Sequence, residues 1–413
     1  MERPVGVTRL RQGLSVFVGL GVILTLVVVM ASILGGGSGG YSPPSEEEKE
    51  GLVEVEMIAS SPKLDVPSGL RDPDDDRHPA PLVPLEEIRS GGPPPDGIAP
   101  IDHPLFQPAR DVDWLDRAEP VVVLEVAGSE GREVRAYPVR ILTWHELVND
   151  TVAGEPVTVS YCPLCNSAVG YERTIADGSI LDFGTSGSLY RSSLVMYDRQ
   201  TESLWTHFDG RAVVGQLTGE RLTLLPMITV AWADFVSGNP DALVLSEVTG
   251  YQRDYGNNPY PGYDDPSERP FLYEGPIDDR LRAKERVAVA RLGTSSVTVV
   301  WDELAEAGVH ETELAGRPIV FVHVGGAVSA LDAGRVAEGR DVGAVGVYLL
   351  DRALGPVEPT DEGLRTSDGT TWNVLGEATG GPLAGERLAP VEHLDTFWFA
   401  VAAFDPDTRI EHP

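Results

Sequence analysis

Residues 232–241 read WADFVSGNPD and residues 398–407 read WFAVAAFDPD, sharing Trp, Pro and Asp at a shift of 166. At the same shift, residues 215–222 (GQLTGERL) match 381–388 (GPLAGERL), and at a shift of 162 residues 153–159 (AGEPVTV) match 315–321 (AGRPIVF). Ordered matches of this kind indicate an internal duplication. Each copy has the same rhythm. EPVVVLEVAG and EVRAYPV read as strands, being rich in β-branched residues with partial alternation. ILTWHELVND in the first copy and WDELAEAG in the second read as short helices, and EPVTVSY reads as a strand. SAVGYERTI and SILDFGTSG suggest a hairpin around Asp177-Gly178. Short strands follow, then a helical turn at Trp232 or Trp398. The expected architecture is a β-rich α+β fold of two tandem related β-rich copies packed together, after an N-terminal transmembrane helix.

That helix is residues 14–34, LSVFVGLGVILTLVVVMASIL, an uncharged run. At about 1.5 Å per residue it spans about 31 Å, the thickness of a bilayer core. Arg3, Arg9 and Arg11 precede it and Glu46, Glu47 and Glu48 follow, so the positive-inside rule puts 1–13 in the cytoplasm and the main domain outside the cell. A cleaved signal peptide is the rival reading, although such peptides have a shorter apolar region of about 7–15 residues. Residues 35–95 open with GGGSGG and stay rich in Gly, Pro and acid, which reads as a flexible linker. The first copy then runs over 96–246, a Tyr/Pro-rich connection over 247–285, and a degenerate second copy over 286–410. The 413 residues carry a net charge of -32, and only Lys49, Lys63 and Lys284 of the 32 basic residues are lysines. An acidic, Lys-poor surface suits a halophilic setting, where salt screens self-repulsion. It also excludes direct nucleic-acid binding, which needs a basic face.

The copies differ in their chemistry-bearing residues. The first holds Cys162-Pro163-Leu164-Cys165 directly after a strand, with His145 on the preceding helix; at the matching shift the second has Val324, Ala327 and Ala307. Three readings of the CPLC motif stand. It is a structural disulfide, although closing so short a loop gives only about 2 kcal/mol. It is a redox dithiol with one low-pKa thiolate, His145 acting as the cation that lowers it. Or it holds a soft metal: Zn with Cys162, Cys165, His145 and His207, or Cu(I) with the two thiolates and Met196. Because SAVGYERTI reads as a strand, the helix that follows this motif in a thioredoxin fold is not expected. The polar run 197–205 offers Asp198, Arg199 and Trp205 as residues lining a cleft, or else closes on itself as a turn with an Asp/Arg pair. The tyrosines of 251–263 suit either a cover over a ligand or the packing of a domain joint. Asn149-Asp150-Thr151 has the glycosylation pattern, but its place after the His145 helix suggests capping.

RAYPVRILTWHELVND, VTVSYCPLCNSAVGYERT, DFGTSGSLYRSSLVMYDRQTESLW and TGYQRDYGNNPY together resemble the family known as domain of unknown function 3179. The resemblance runs from about Asp96 to FWFAVAAFDPDT. The residues that match its pattern are His145, Asn149, Asp150, Cys162, Pro163, Cys165, Asp198, Arg199, Thr201, Ser203 and Trp205. The usual pattern has Gly after the second cysteine, where this chain has Asn166. The resemblance implies a cell-surface or membrane-attached domain and assigns no activity. The sequence therefore leads to a membrane-anchored extracytoplasmic protein with a CPLC centre, or to a non-enzymatic surface or binding module with a passive bridge.

Overall fold

The computed structural model describes residues 40–413. The transmembrane segment expected at 14–34 and the cytoplasmic 1–13 lie outside those residues. Among the described residues no helix is long and apolar enough to cross a membrane.

The segment expected as a linker is, from residue 40 onward, a strap laid along the domain. It contributes β1 (Val53–Glu54) and β2 (Ile88–Ser90) to two sheets. Between them Ser61 N–H donates to Ile180 O, Leu64 N–H to Gln200 O and Leu82 N–H to Val213 O. Lys63 and Arg71 both pair with Glu202. Its Pro- and Asp-rich sequence lacks periodicity because its hydrogen bonds go to another part of the chain.

After β3 (Leu105–Pro108), the first half opens with the hairpin of β4 (Pro120–Gly128) and β5 (Gly131–Pro138). The run Val121–Leu124 is apolar without alternation because the strand is covered on both faces. Val121 and Val123 enter one core, Val122 and Leu124 another. Helix α1 (Val139–His145) follows and stops at Glu146, whose φ of 57° is left-handed. The chain re-enters as β6 (Leu147–Val152), β7 (Glu155–Cys162) and β8 (Ser167–Glu172), a meander. LVND is thus strand rather than helix: its side chains are drawn into sheet pairing across the core. Asn149 and Asp150 are buried mid-strand, so they neither cap the helix nor present a glycosylation site.

Strands β9 (Phe183–Tyr190), β10 (Ser193–Asp198), β11 (Leu204–Thr206) and β12 (Ala212–Val214) form a second sheet with β2. The expected hairpin around Asp177-Gly178 is therefore a turn between sheets. Only Thr174 and Ile180 bridge across it, while β8 pairs with β7 and with β13 (Leu224–Leu225). β14 (Met227–Ala231) pairs antiparallel with β4, α2 (Trp232–Gly238) follows it, and β15 (Leu243–Leu245) runs parallel to β5.

The second half repeats this layout. A hairpin of β16 (Arg286–Leu292) and β17 (Ser295–Val300) leads into α3 (Trp301–Ala307), then β18 (Val309–Leu314), β19 (Arg317–Val324) and β20 (Ala344–Leu349). An added sheet of β21 (Val357–Thr360), β22 (Gly363–Thr366), β23 (Thr371–Asn373) and β24 (Ala378–Gly380) intervenes. β25 (Glu392–Phe397) pairs antiparallel with β16, α4 (Trp398–Phe404) follows it, and β26 (Arg409–Glu411) runs parallel to β17. The order β25-β16-β17-β26 mirrors β14-β4-β5-β15 strand for strand. The halves share cores: Cys165 and Trp205 pack in one cluster with Val289, Leu394 and Phe397. The Tyr-rich connection packs the joint, with Tyr260 and Tyr263 buried. Gly256 has a φ of 92°, which strains any other residue, and a Cβ there would run into the Arg140 guanidinium.

Candidate functional site

The CPLC motif is the tight turn between β7 and β8, with Cys162 paired in register to Ser167. No helix starts there, in line with the strand expected after the motif. Asn166 closes the turn at φ 49°, the left-handed conformation that Gly adopts freely and Asn tolerates. The turn is clamped by the second half: Phe397 N–H and the Thr396 hydroxyl both donate to Cys165 O, at 3.1 and 2.7 Å. Tyr263 Oη donates to Leu164 O from the connecting segment.

Both cysteines are free thiols, buried to 1% exposure or less. The passive bridge expected from an oxidising compartment is not formed. The thiols are unequal. Burial raises both, and hydrogen bonding and charge from Cys165 add to it at Cys162, which stands well above its ordinary pKa. At Cys165 burial is outweighed by hydrogen bonding with Cys162, Ser167 and Ser193, so its pKa falls below the ordinary value. Ser167 Oγ lies 3.2 Å from Cys165 Sγ and Ser193 Oγ 3.6 Å away, while Leu194 N–H points at Cys162 Sγ at 3.4 Å. Cys165 is therefore the more acidic thiol of the pair, the one that gives up its proton first.

A buried chain of hydroxyls and imidazole continues from Cys165. Ser167 Oγ is 2.9 Å from His207 Nε2, and His207 Nδ1 is 3.0 Å from Ser160 Oγ. Ser160 donates to the Glu146 carbonyl, so His207 Nδ1–H donates to Ser160 and Nε2 is free to accept from Ser167. Burial lowers the His207 pKa to about 3, which keeps it neutral at rest. The Glu146 side chain is buried as well; burial first, then the charge of Cys162, lifts its carboxyl to about 8.

Other expected site residues fall elsewhere. His145 donates from Nδ1 to Ala99 O at 2.7 Å and accepts at Nε2 from Tyr255 Oη at 2.5 Å, so both nitrogens are committed. Burial lowers its pKa to about 4, so it is neither a ligand nor a cation beside the thiols. The expected Cys₂His₂ zinc set of Cys162, Cys165, His145 and His207 does not converge. No group of three His, Cys, Asp or Glu side chains among the described residues is placed to hold a metal ion. Asp198, Arg199 and Trp205 do not line a cleft. Asp198 accepts from Thr201, Ser203 and Trp205 Nε1 inside a buried turn, while Arg199 pairs with Asp102 and Asp96 instead.

The residues the sequence reading missed are Glu146, Ser160, Ser167 and Ser193. Ser160 had a usable signal, since it lies two positions before Cys162 on the same face of β7, and Ser167 had one in opening the strand just past the Cys165 turn. Ser193 comes from a different sheet and had none.

The chain matches the family model described as protein of unknown function (DUF3179) over residues 95–408. It belongs to that family. No curated protein and no solved structure is similar to it.

Proposed function

We propose that this is a membrane-anchored extracytoplasmic protein whose centre is a redox dithiol, with Cys165 as attacking thiolate and Cys162 as resolving thiol. The observation that carries the reading is the inequality of two touching, unbonded thiols, set by Ser167 and Ser193 on one sulfur only. Complete burial closes the pair to a protein disulfide and favours a small two-electron oxidant of the hydroperoxide class. Cys165 passes its proton through Ser167 to His207 Nε2 as its sulfur attacks the outer oxygen; the O–O bond breaks, and the same proton returns through Ser167 to the leaving alkoxide, which departs as the alcohol. The Cys162 sulfur then attacks the sulfenic acid; the S–O bond breaks and hydroxide leaves with the Cys162 proton as water. Two thiols and one hydroperoxide become a disulfide, an alcohol and water.

The burial favours a second reading, a Cu(I) ion held between the two sulfurs. Exchanging the shared proton for a monovalent soft cation leaves the buried charge unchanged, and two thiolates suffice as ligands. Intact mass measured after a hydroperoxide pulse on the full chain tests the first reading. The wild type loses two hydrogens, Cys162→Ser gains oxygen at Cys165, and Cys165→Ser is unchanged. Thiols that stay unmodified while copper co-purifies in stoichiometric amount, and is lost in Cys162→Ser, overturn it in favour of the second.

The matching strand order of the halves, with the sequence matches at 162 and 166, supports descent from one duplicated unit. The apolar run 14–34 supports anchoring with the domain outside the cell, and the charge balance supports a saline habitat. Membrane fractionation and protease accessibility of intact cells check the anchoring.

A further inference from the structure

The β7–β8 hairpin has a second face. Ser160 and Cys162 point to the His207 side, whereas Tyr161 and its partner Ala168 line a cavity of about 50 Å³ between the two halves. Equivalent positions of both halves form its walls. Thr229 and Asp395 each lie three residues before the tryptophan that starts a helix, and Pro120 and Arg286 each pair with the residue just before it. Val139 and Trp301 each begin the helix after a hairpin. The first half thus supplies Pro120, Val139 and Thr229, all uncharged, where the second supplies Arg286, Trp301 and Asp395.

Two polar atoms here are shut away from solvent without a partner: Asp395 Oδ1 and Arg286 Nε. Arg286 spends Nη2 on Asp264 and Ser329, at 3.0 and 2.7 Å, and makes no ion pair with Asp395. An orphaned buried carboxyl is destabilising, and such costs persist at sites that need the group. Burial raises the Asp395 carboxyl to about 8, so it is a neutral acid at pH 7 and donates as well as accepts. The cavity adjoins a groove of about 400 Å³ that shares Met227, Ile228 and His393 with it and is walled by Val123, Val347 and Leu388, beside the mutually paired charges of Glu125, Arg132, Glu377 and Arg387.

We infer that the cleft between the halves binds a small amphiphile with a planar carboxyl-type head, a carboxylate or its carboxamide, seated between Arg286 Nε and Asp395, and an aliphatic tail in the groove. The Arg286 N–H requires an acceptor and rejects an ammonium head. The planar head presents that acceptor and a second edge atom to Asp395 at the same time. The site stands apart from the sulfurs, so it holds whatever the dithiol does.

Titration of the full chain by NMR with butyrate, butyramide and butylammonium tests it. Butyrate or butyramide binds saturably, which of the two decides the head; affinity rises about fourfold per added methylene through the hexyl and octyl homologues; Cys165→Ser changes nothing. Asp395→Leu weakens binding about tenfold or more. Thr229→Leu, which fills the opposite wall, does the same and serves where Asp395→Leu fails to fold. No saturable binding, equal binding of butylammonium, or unchanged affinity in both variants overturns the proposal.

Discussion

The two halves share a strand order and differ in where they keep charge inside. In the first, Asp150 on β6 is held by Arg135 and Tyr137, each at 2.6 Å, and Arg173 is fully buried on the carbonyls of Asp150, Val157 and Leu181. At the position equivalent to Asp150, β18 carries Thr312, which bonds Glu411 at the half-exposed edge. β7 ends on Cys162 and turns tightly, whereas β19 ends on Val324 and opens into residues 325–343, a loop that binds the connecting segment through Leu331 O and Asp332 O. The second half is not mere scaffold, however. Its own specialised residues, Arg286 and Asp395, face the other side of the same hairpin. The two halves thus carry their buried polar groups on different faces, with the β7–β8 hairpin between them.

The sharpest way to break this contrast is to remove the buried charge. Asp150→Ala leaves Tyr137 without its acceptor and Arg135 with Glu133 alone, and should cost about 3 kcal/mol in urea unfolding, whereas Thr312→Ala should cost less than about 1 kcal/mol. Equal losses would show that the interior charge is not what separates the halves. Next is the relay. Ser167→Ala removes the hydroxyl that links Cys165 to His207, and should slow thiolate alkylation about tenfold to a hundredfold while moving its pH midpoint upward. A variant alkylated at the wild-type rate would leave the inequality of the thiols without its cause.

The pH dependence sharpens the contrast further, since each half hides one carboxyl the other lacks. Glu146 and Asp395 are both raised to about 8. The folded state therefore holds their protons more tightly than the unfolded chain, and their contribution is full below about pH 4 and lost as pH rises through 8. His145 and His207 are lowered, so their contribution is present above pH 6.5 and is lost as pH falls toward 4 and 3. From pH 6.5 to 8 the carboxyls pull the melting temperature down, against an opposing rise from Lys284, which burial lowers to about 8, and from the lowered Cys165 thiol. Glu146→Gln and Asp395→Asn should each flatten part of that slope, and a double variant that keeps the full slope would refute both assignments. The smallest effect is general: the net charge of -32 should make the melting temperature rise with KCl up to molar concentration, as the screening length drops to about 3 Å.

Strand content, the strands β4 and β5, and the helices beginning at Trp232, Trp301 and Trp398 were legible because β-branched runs and short amphipathic turns act locally. LVND was misread as helix because it continues ILTWHE without a Gly or Pro stop. The stop is Glu146 itself, taking a left-handed conformation that nothing nearby announces. The sulfur pair was legible as a motif, but its partners were not. His145 looked nearest along the chain, yet its helix points it at Ala99 and Tyr255. His207, far later in sequence, reaches the thiols only through Ser167.

The sequence alone determined which residue types were present and where strands and breaks would fall, because propensity and periodicity are properties of short segments. It also determined that one half has thiols and the other does not. Only the tertiary structure decided which groups meet. The low thiol of Cys165 depends on a hydroxyl from another sheet, and the orphaned Asp395 depends on two halves closing over it. Burial and hydrogen bonding, which set protonation, arise between segments distant in the chain, so no local pattern could carry them.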